Sequence, residues 1–402
     1  MNQNDIKNLP GVRQIEKTKT VVIARKSETH PVYRVPLGYL YYNDQNDRIS
    51  TEIVRYRTEK DCELPEDRNE YNEIFEELIV KSKPEAIEKT QRSIATRGQD
   101  NPGVTLKDGR VIDGNRRFTC LRRIQKETNQ QQYFETIILD YDYKNDYKEI
   151  KSLELELQMG VEEKVKYDPI DKLFGVYKSI RIEKAFSVEE YAALFDDYSV
   201  NDVKRDLALA DLMVEYLEFQ GTPGKYYIAK DMDLQGTLFE IPAILEKVKK
   251  KNPDLVDDVK LRVFASISVG ASNRLNLFMR DIKEVVDKGD LAKYLKETEE
   301  AVNETMDVLN EKPIQNYNDL ADGIRKREDI REKLVHPVNA QKKAVESQKL
   351  KKAPIKYSKD ALSTLNAIHS ESIQEMSEDD RDELKELLMQ LEDKIAEIRG
   401  KL

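Results

Sequence analysis

Two adjacent arginines, Arg116 and Arg117, follow an Asp113-Gly114-Asn115 turn in the stretch DGRVIDGNRRFTCLRRI, residues 108–124. A short apolar strand, RVI, leads into the turn, and a helical pattern leads out over Phe118 to Lys126. A glycine turn at a helix start leaves backbone N–H groups without intrahelical acceptors, and the helix dipole adds positive potential there. Two guanidinium groups add fork-shaped donors that match phosphate oxygens. These residue types suit a phosphate chain lying across Gly114, Asn115, Arg116 and Arg117. From spacing alone the alternative stands beside it: one arginine lays its stem along the surface while the other pairs a carboxylate.

The rest of the composition narrows the chemistry. The chain has 402 residues, 67 Lys and Arg against 77 Asp and Glu, and a formal net charge of −10. An acidic chain does not coat polyanions in bulk, so any nucleic-acid contact needs a local basic patch and should weaken steeply with salt. Cys62 and Cys120 fit no metal spacing and no disulfide framework. His30, His336 and His369 are scattered and read as surface residues. The N-terminus has no apolar segment of the signal-peptide kind, and no apolar run approaches the roughly 18 residues of a membrane helix. The expectation is a soluble cytoplasmic protein.

Length suggests two to four domains, or roughly 100–200 residues each. Residues 1–30 read as a polar N-terminal arm. Residues 31–57 give strand, loop, then strand or short helix. Residues 70–97 give two helices split at Pro84, the second ending at Gly98. A short hairpin follows, VTL and RVI around Lys-Asp-Gly, then the 118–126 helix and a strand at 133–141. Residues 31–160 thus make one α+β unit. The remainder reads as almost wholly helical, with a break at 220–224. It divides into a 161–225 helical domain, a further helical domain at 226–337, a Lys-rich linker at 338–358, and a C-terminal amphipathic helix at 359–402. In that last helix Ser377 and Asp380 mark the start. Leu384, Leu388, Leu391, Ile395, Ile398 and Leu402 recur four and three residues apart. This seam fits either a dimerising coiled coil or packing on the chain's own body.

Three boxes in order over 31–160 resemble the N-terminal domain of the ParB family, also called the ParB/sulfiredoxin fold. SIATRGQDNPGVT supplies Ser93, Gly98, Asn101 and Pro102. DGNRR supplies Gly114, Asn115, Arg116 and Arg117. VPLGYLYYNDQNDRI supplies the opening strand and Arg48. The resemblance implies a nucleotide-binding domain that takes a nucleoside triphosphate, CTP or ATP, with Mg2+. The arginines would hold the phosphates, and the nucleotide would order the boxes and close a dimer. Asn101 stands where the family has Gln, and Asn115 where it has Glu. A further box survives only as SLELELQMG followed by KYDPIDKL. It leaves Glu154 and Glu156 as the catalytic or metal-associated carboxylates, with Met159 at the Arg position. Cys120 lies three residues after Arg117 rather than before the basic pair, which sets the sulfiredoxin-type redox chemistry aside.

The resemblance also implies a helix-turn-helix after this domain. SVEEYAALF, a turn, and SVNDVKRDLALADL fit that plan, with Ser199 capping a recognition helix. Ser199, Asn201, Lys204 and Arg205 would meet double-stranded DNA. The resulting expectation is a homodimeric, nucleotide-controlled DNA-binding protein serving plasmid or phage segregation, regulation or mobile-element defence, with partner proteins from such a system. A second reading is an enzyme of the same superfold in a DNA-modification or anti-phage system: an NTPase, a phosphoryl-transfer enzyme or a nuclease-like protein. Asp113, Glu154 and Glu156 would be its catalytic residues. A third reading is an interaction scaffold that has lost the nucleotide.

Overall fold

The computed structural model describes residues 5–23, 26–157 and 168–402, and the backbone of 158–160. The Met159 side chain and the first two residues of KYDPIDKL lie outside them. Alternating apolar residues build one mixed six-stranded sheet, because successive side chains on a strand point to opposite faces. Its strands are β1 Arg13–Ile23, β2 Lys26–Pro36, β3 Tyr41–Tyr42, β4 Gly103–Leu106, β5 Arg110–Asp113 and β6 Tyr133–Leu139. They lie in the order β1-β2-β6-β4-β5-β3. The β4–β6 and β3–β5 pairs are parallel, and the other three pairs are antiparallel.

One face carries Val35, Val111, Phe134 and Ile138. It is covered by α1 Ser50–Lys60, α2 Arg68–Ser82, α3 Pro84–Arg97 and α4 Asn115–Thr128. The other face carries Val32, Val104, Ile112 and Ile137, and is covered by Ile150 and Leu153 of α5 Tyr147–Gly160. Fully burying a side chain such as Phe134 stabilises by about 1.5–3 kcal/mol. These two cores therefore hold the hairpin and the start of α4 in place.

The polar stretch before residue 31 is not an arm in its described part. Residues 13–23 form β1, which pairs with β2 from Arg13↔Arg34 to Ile23↔Lys26. β1 is an edge strand with most side chains in water and only Val21 and Ile23 buried. A strand of that kind has a loop-like composition, and its lysines guard the open edge.

The second half is helical: α6 Pro169–Tyr177, α7 Val188–Ala192, α8 Val200–Phe219, α9 Tyr226–Asp231, α10 Gln235–Leu238, α11 Ile241–Lys251, α12 Val256–Ser268, α13 Leu275–Lys288, α14 Leu291–Glu311, α15 Tyr317–Asp322, α16 Glu328–Asn366, α17 Ser370–Gln374 and α18 Glu378–Arg399. One core runs from Ile170 of α6 through α8 to Val338 of α16, so the 220–224 break is a turn inside that core. The Lys-rich 338–358 stretch is not a linker but lies within the 39-residue α16. Lysine is a good helix former, and its long stem lets the charge stay in water. Up to Val345 this helix buries one face; beyond it Leu350, Ile355 and Tyr357 are exposed. No helix among the described residues is long and apolar enough to cross a membrane.

Candidate phosphate-binding site

Gly114 opens α4 in the left-handed region, at φ 97°. That conformation suits glycine, and a Cβ there would approach Phe134 to 2.8 Å and Arg117 to 3.1 Å. The Phe118 N–H donates to the Gly114 carbonyl at 2.8 Å. Helix therefore begins at Asn115, three residues before the sequence pattern suggested, and both arginines lie in its first turn. No side chain caps this end and no acid stands in its first turn. The Asn115 Oδ1 atom is buried without a hydrogen-bond partner.

The two arginines are placed differently. Arg117 turns back over Gly114 and reaches Asp113 Oδ2 at 3.2 Å. Lys19 of β1 meets the same oxygen at 3.1 Å and donates to the Pro102 carbonyl at 2.7 Å. Asp113 is thus held between two cations. Arg116 instead belongs with Arg48 and Lys83. Burial, then Arg48, then Arg116 push the Lys83 ammonium below its usual pKa, with Asp168 and Asp171 acting in the opposite sense. Arg48 lies in the 3-10 turn Asp47–Ile49, whose start is capped by Asn46 Oδ1 accepting from the Arg48 N–H at 3.1 Å. Lys83 lies where α2 gives way to α3. Arg48 and Arg116, from two other segments, thus both raise the positive potential at Lys83, which favours an anion there.

The 93–102 box is held by its own contacts. Ser93 Oγ accepts from Arg97 at 2.9 Å, and the Gly98 N–H closes α3 on the Ile94 carbonyl. Asn101 is exposed, and its carbonyl accepts from Gln99 Nε2 at 2.9 Å. Gln99 also bonds the Glu135 backbone at both its carbonyl, 2.7 Å, and its N–H, 2.9 Å. The amide that clamps this loop to β6 is thus two residues before Asn101. Gln99, Lys19 and Lys83 were not singled out from sequence. Gln99 stood inside the quoted box, but nothing local marks the other two.

Glu154 sits apart from Asp113, in a buried network. Lys151 Nζ lies 2.8 Å from Asp47 Oδ1 and 3.5 Å from Glu154, with all three side chains about 1% exposed. Lys151 also donates to the Gln45 carbonyl at 3.0 Å, and Asn43 Nδ2 donates to Glu154 at 3.3 Å. Burial pushes the Glu154 carboxyl up to about 7, against the pull of Lys151. Burial also pulls on the Lys151 ammonium, but Asp47 and Glu154 outweigh it and raise its pKa. This network ties α5 to the Asn43–Asp47 loop that presents Arg48. Glu156 is half-buried and accepts from Ser152 Oγ at 3.2 Å. Among the described residues no group of three or more His, Cys, Asp or Glu is arranged to hold a metal.

The expected DNA-contacting residues lie on α8. Ser199 Oγ accepts from the Asp202 N–H at 3.2 Å, and Asp202 returns a bond to the Ser199 N–H at 3.1 Å. Ser187 and Glu190 make the same reciprocal cap on α7. Tyr191, Tyr198, Val203 and Leu207 pack the two helices together. Asn201 and Lys204 are exposed; Arg205 is exposed too, but pairs with Asp202 at 2.9 Å and Asp206 at 3.1 Å.

No family model and no curated protein sequence matches the chain. Among solved structures the chain is similar to a Pnob8-like ParB-N domain, at 12% identity and a TM-score of 0.35, over 72% of this chain and 99% of that one. A likeness of that extent fixes neither fold nor function.

Proposed function

We propose that this chain is a nucleotide-controlled DNA-binding protein of the ParB-like kind, with nucleotide phosphates lying at the start of α4. The observation that carries the reading is the start of α4 at a left-handed Gly114, with no side-chain cap, no acid in its first turn, and Arg116 near enough to Lys83 to lower its pKa together with Arg48. Arg116 and the first N–H groups of α4 would take the phosphate oxygens, while Arg117 holds the Gly114 turn to Asp113. The ligand class is a nucleoside triphosphate, CTP or ATP, entering with its own Mg2+, which is bound mainly by phosphates and water. The exposed start of α8, with Asn201 and Lys204, is the surface offered to DNA. The α18 seam joins two copies.

Binding is favoured over turnover by the positions of the carboxylates. Phosphoryl transfer needs a base or a metal ligand at the phosphates. Asp113 is engaged by Lys19 and Arg117, and Glu154 by Lys151 and Asn43.

The test is DNA affinity with and without nucleotide, read by fluorescence anisotropy on a mixed-sequence duplex. Coupling of the usual size changes the affinity about fivefold or more. Arg116→Ala should abolish the change and leave nucleotide-free DNA binding intact. Equal DNA affinity with and without every nucleotide contradicts the switch.

A further inference from the structure

A cleft of about 580 Å³ lies in the helical half, lined wholly by residues between Met232 and Arg331. Its walls are the α9–α10 connection, the α12–α13 loop, the 3-10 turn Ile324–Lys326 and the first turn of α16. Three arginines line it: Arg274, Arg325 and Arg331. None of them makes an ion pair among the described residues, although acids outnumber bases in the chain, 77 to 67. Asp233 is the single carboxylate in the lining.

The arginines are held by neutral groups. Arg325 lies over the Tyr317 ring, 5.0 Å from its centre, and donates to the Tyr317 hydroxyl at 2.9 Å. Its Nε atom is buried without a hydrogen-bond partner. Arg331 donates to the Val269 carbonyl at 3.3 Å and to the Arg325 carbonyl. These contacts fix both planes while leaving part of each guanidinium fork unused. Arg274 is exposed and precedes α13, a 14-residue helix with no side-chain cap and no acid in its first turn. Leu275 and Asn276, the first residues of α13, line the same cleft. Gly270 enters the loop at φ 63° with the Arg325 stem 3.7–3.8 Å from where a Cβ would stand. A larger residue there would be strained by that φ, although its Cβ would meet Arg325 only in ordinary van der Waals contact.

We propose that this cleft binds a phosphorylated small molecule, its phosphate held by Arg274, Arg325 and Arg331 at the start of α13. Fork-shaped donors without carboxylate partners match phosphate oxygens. The volume falls in the range of small-molecule pockets, about 300–1,000 Å³. The same chemistry could meet a phosphodiester backbone, so the test separates the two sources. The proposal does not depend on the α4 site.

Equilibrium dialysis of the full chain with radiolabelled inorganic pyrophosphate gives the test, in an Arg116→Ala background that removes the α4 site. The expected result is one pyrophosphate per chain, weakened about tenfold or more by Arg274→Glu and by Arg325→Gln. Among the described residues Arg274 has no side-chain partner to lose, so its variant should fold normally; circular dichroism checks both variants. No binding by the Arg116→Ala protein at millimolar pyrophosphate overturns the proposal. So does binding indifferent to both substitutions. Binding of a single-stranded oligonucleotide but not of pyrophosphate assigns the cleft to a strand backbone and also overturns it.

Discussion

Asp113 accepts from both Lys19 and Arg117, so the second arginine of the pair is committed to the turn that the first one uses. That Arg116 and Arg117 stand at a helix start was legible from the residue types around Gly114. Which arginine pairs a carboxylate was not. Spacing allowed one of them to pair a carboxylate, but the pairing depends partly on Lys19, 94 residues away in a strand that looked like a polar arm. Lys83 was hidden for the same reason: its charge matters only because Arg48 and Arg116 arrive beside it in space. Glu154 was read as a candidate base or metal ligand, and its surroundings give it a different test. Its folded pKa of about 7 lies above the ordinary 4.5. A raised folded pKa means that its stabilising contribution is complete below 4.5 and is lost as pH rises through 7. Glu154→Gln keeps an acceptor for Asn43 and cannot titrate. Urea unfolding should show the wild-type stability falling relative to the variant between pH 4.5 and 7. Wild-type stability that instead rises relative to the variant would mean that Lys151 holds Glu154 ionised.

Elements were legible where local signals are strong. Pro84 at the start of α3, Gly98 at its end, and the Ser187 and Ser199 caps each fix a boundary through a few backbone contacts. They were illegible where tertiary pairing decides. β1 gains its order from β2, and the Lys-rich stretch is helical because α16 is already anchored by Ile330, Leu334 and Val338. On α8 the reciprocal cap, worth about 1 kcal/mol, holds Asn201 and Lys204 at an exposed end. Arg205 is paired with Asp202 and Asp206, so under the proposed function Lys204 would be the main cation offered to a phosphate. Lys204→Glu should weaken DNA binding similarly on all sequences and reduce the slope of log affinity against log salt by about 1. An unchanged slope in anisotropy titrations from about 50 to 200 mM salt would remove α8 from the DNA surface.

At the scale of the whole molecule, the mixed sheet and the large helical core account for the chain up to about Val345, and the rest of α16, α17 and α18 adds exposed helix. Leu388, Leu391, Ile395 and Ile398 are each between 39 and 46% exposed, and α18 has no buried residue. A row of apolar side chains in water at heptad spacing is stabilised when a second copy covers it. The full chain should therefore run as a dimer in light scattering, and a chain ending at residue 368 as a monomer. Equal association states for the two would refute the tail's role. Every role proposed for the chain's N-terminal half depends on a nucleotide binding at the start of α4. Calorimetric titration of the full chain with CTP, ATP, GTP and ADP, each with Mg2+, beside Arg116→Ala, tests it most directly. The expected result is micromolar binding of one nucleotide, weakened at least about tenfold in the variant. No heat from any nucleotide, or binding that survives Arg116→Ala unchanged, would contradict it.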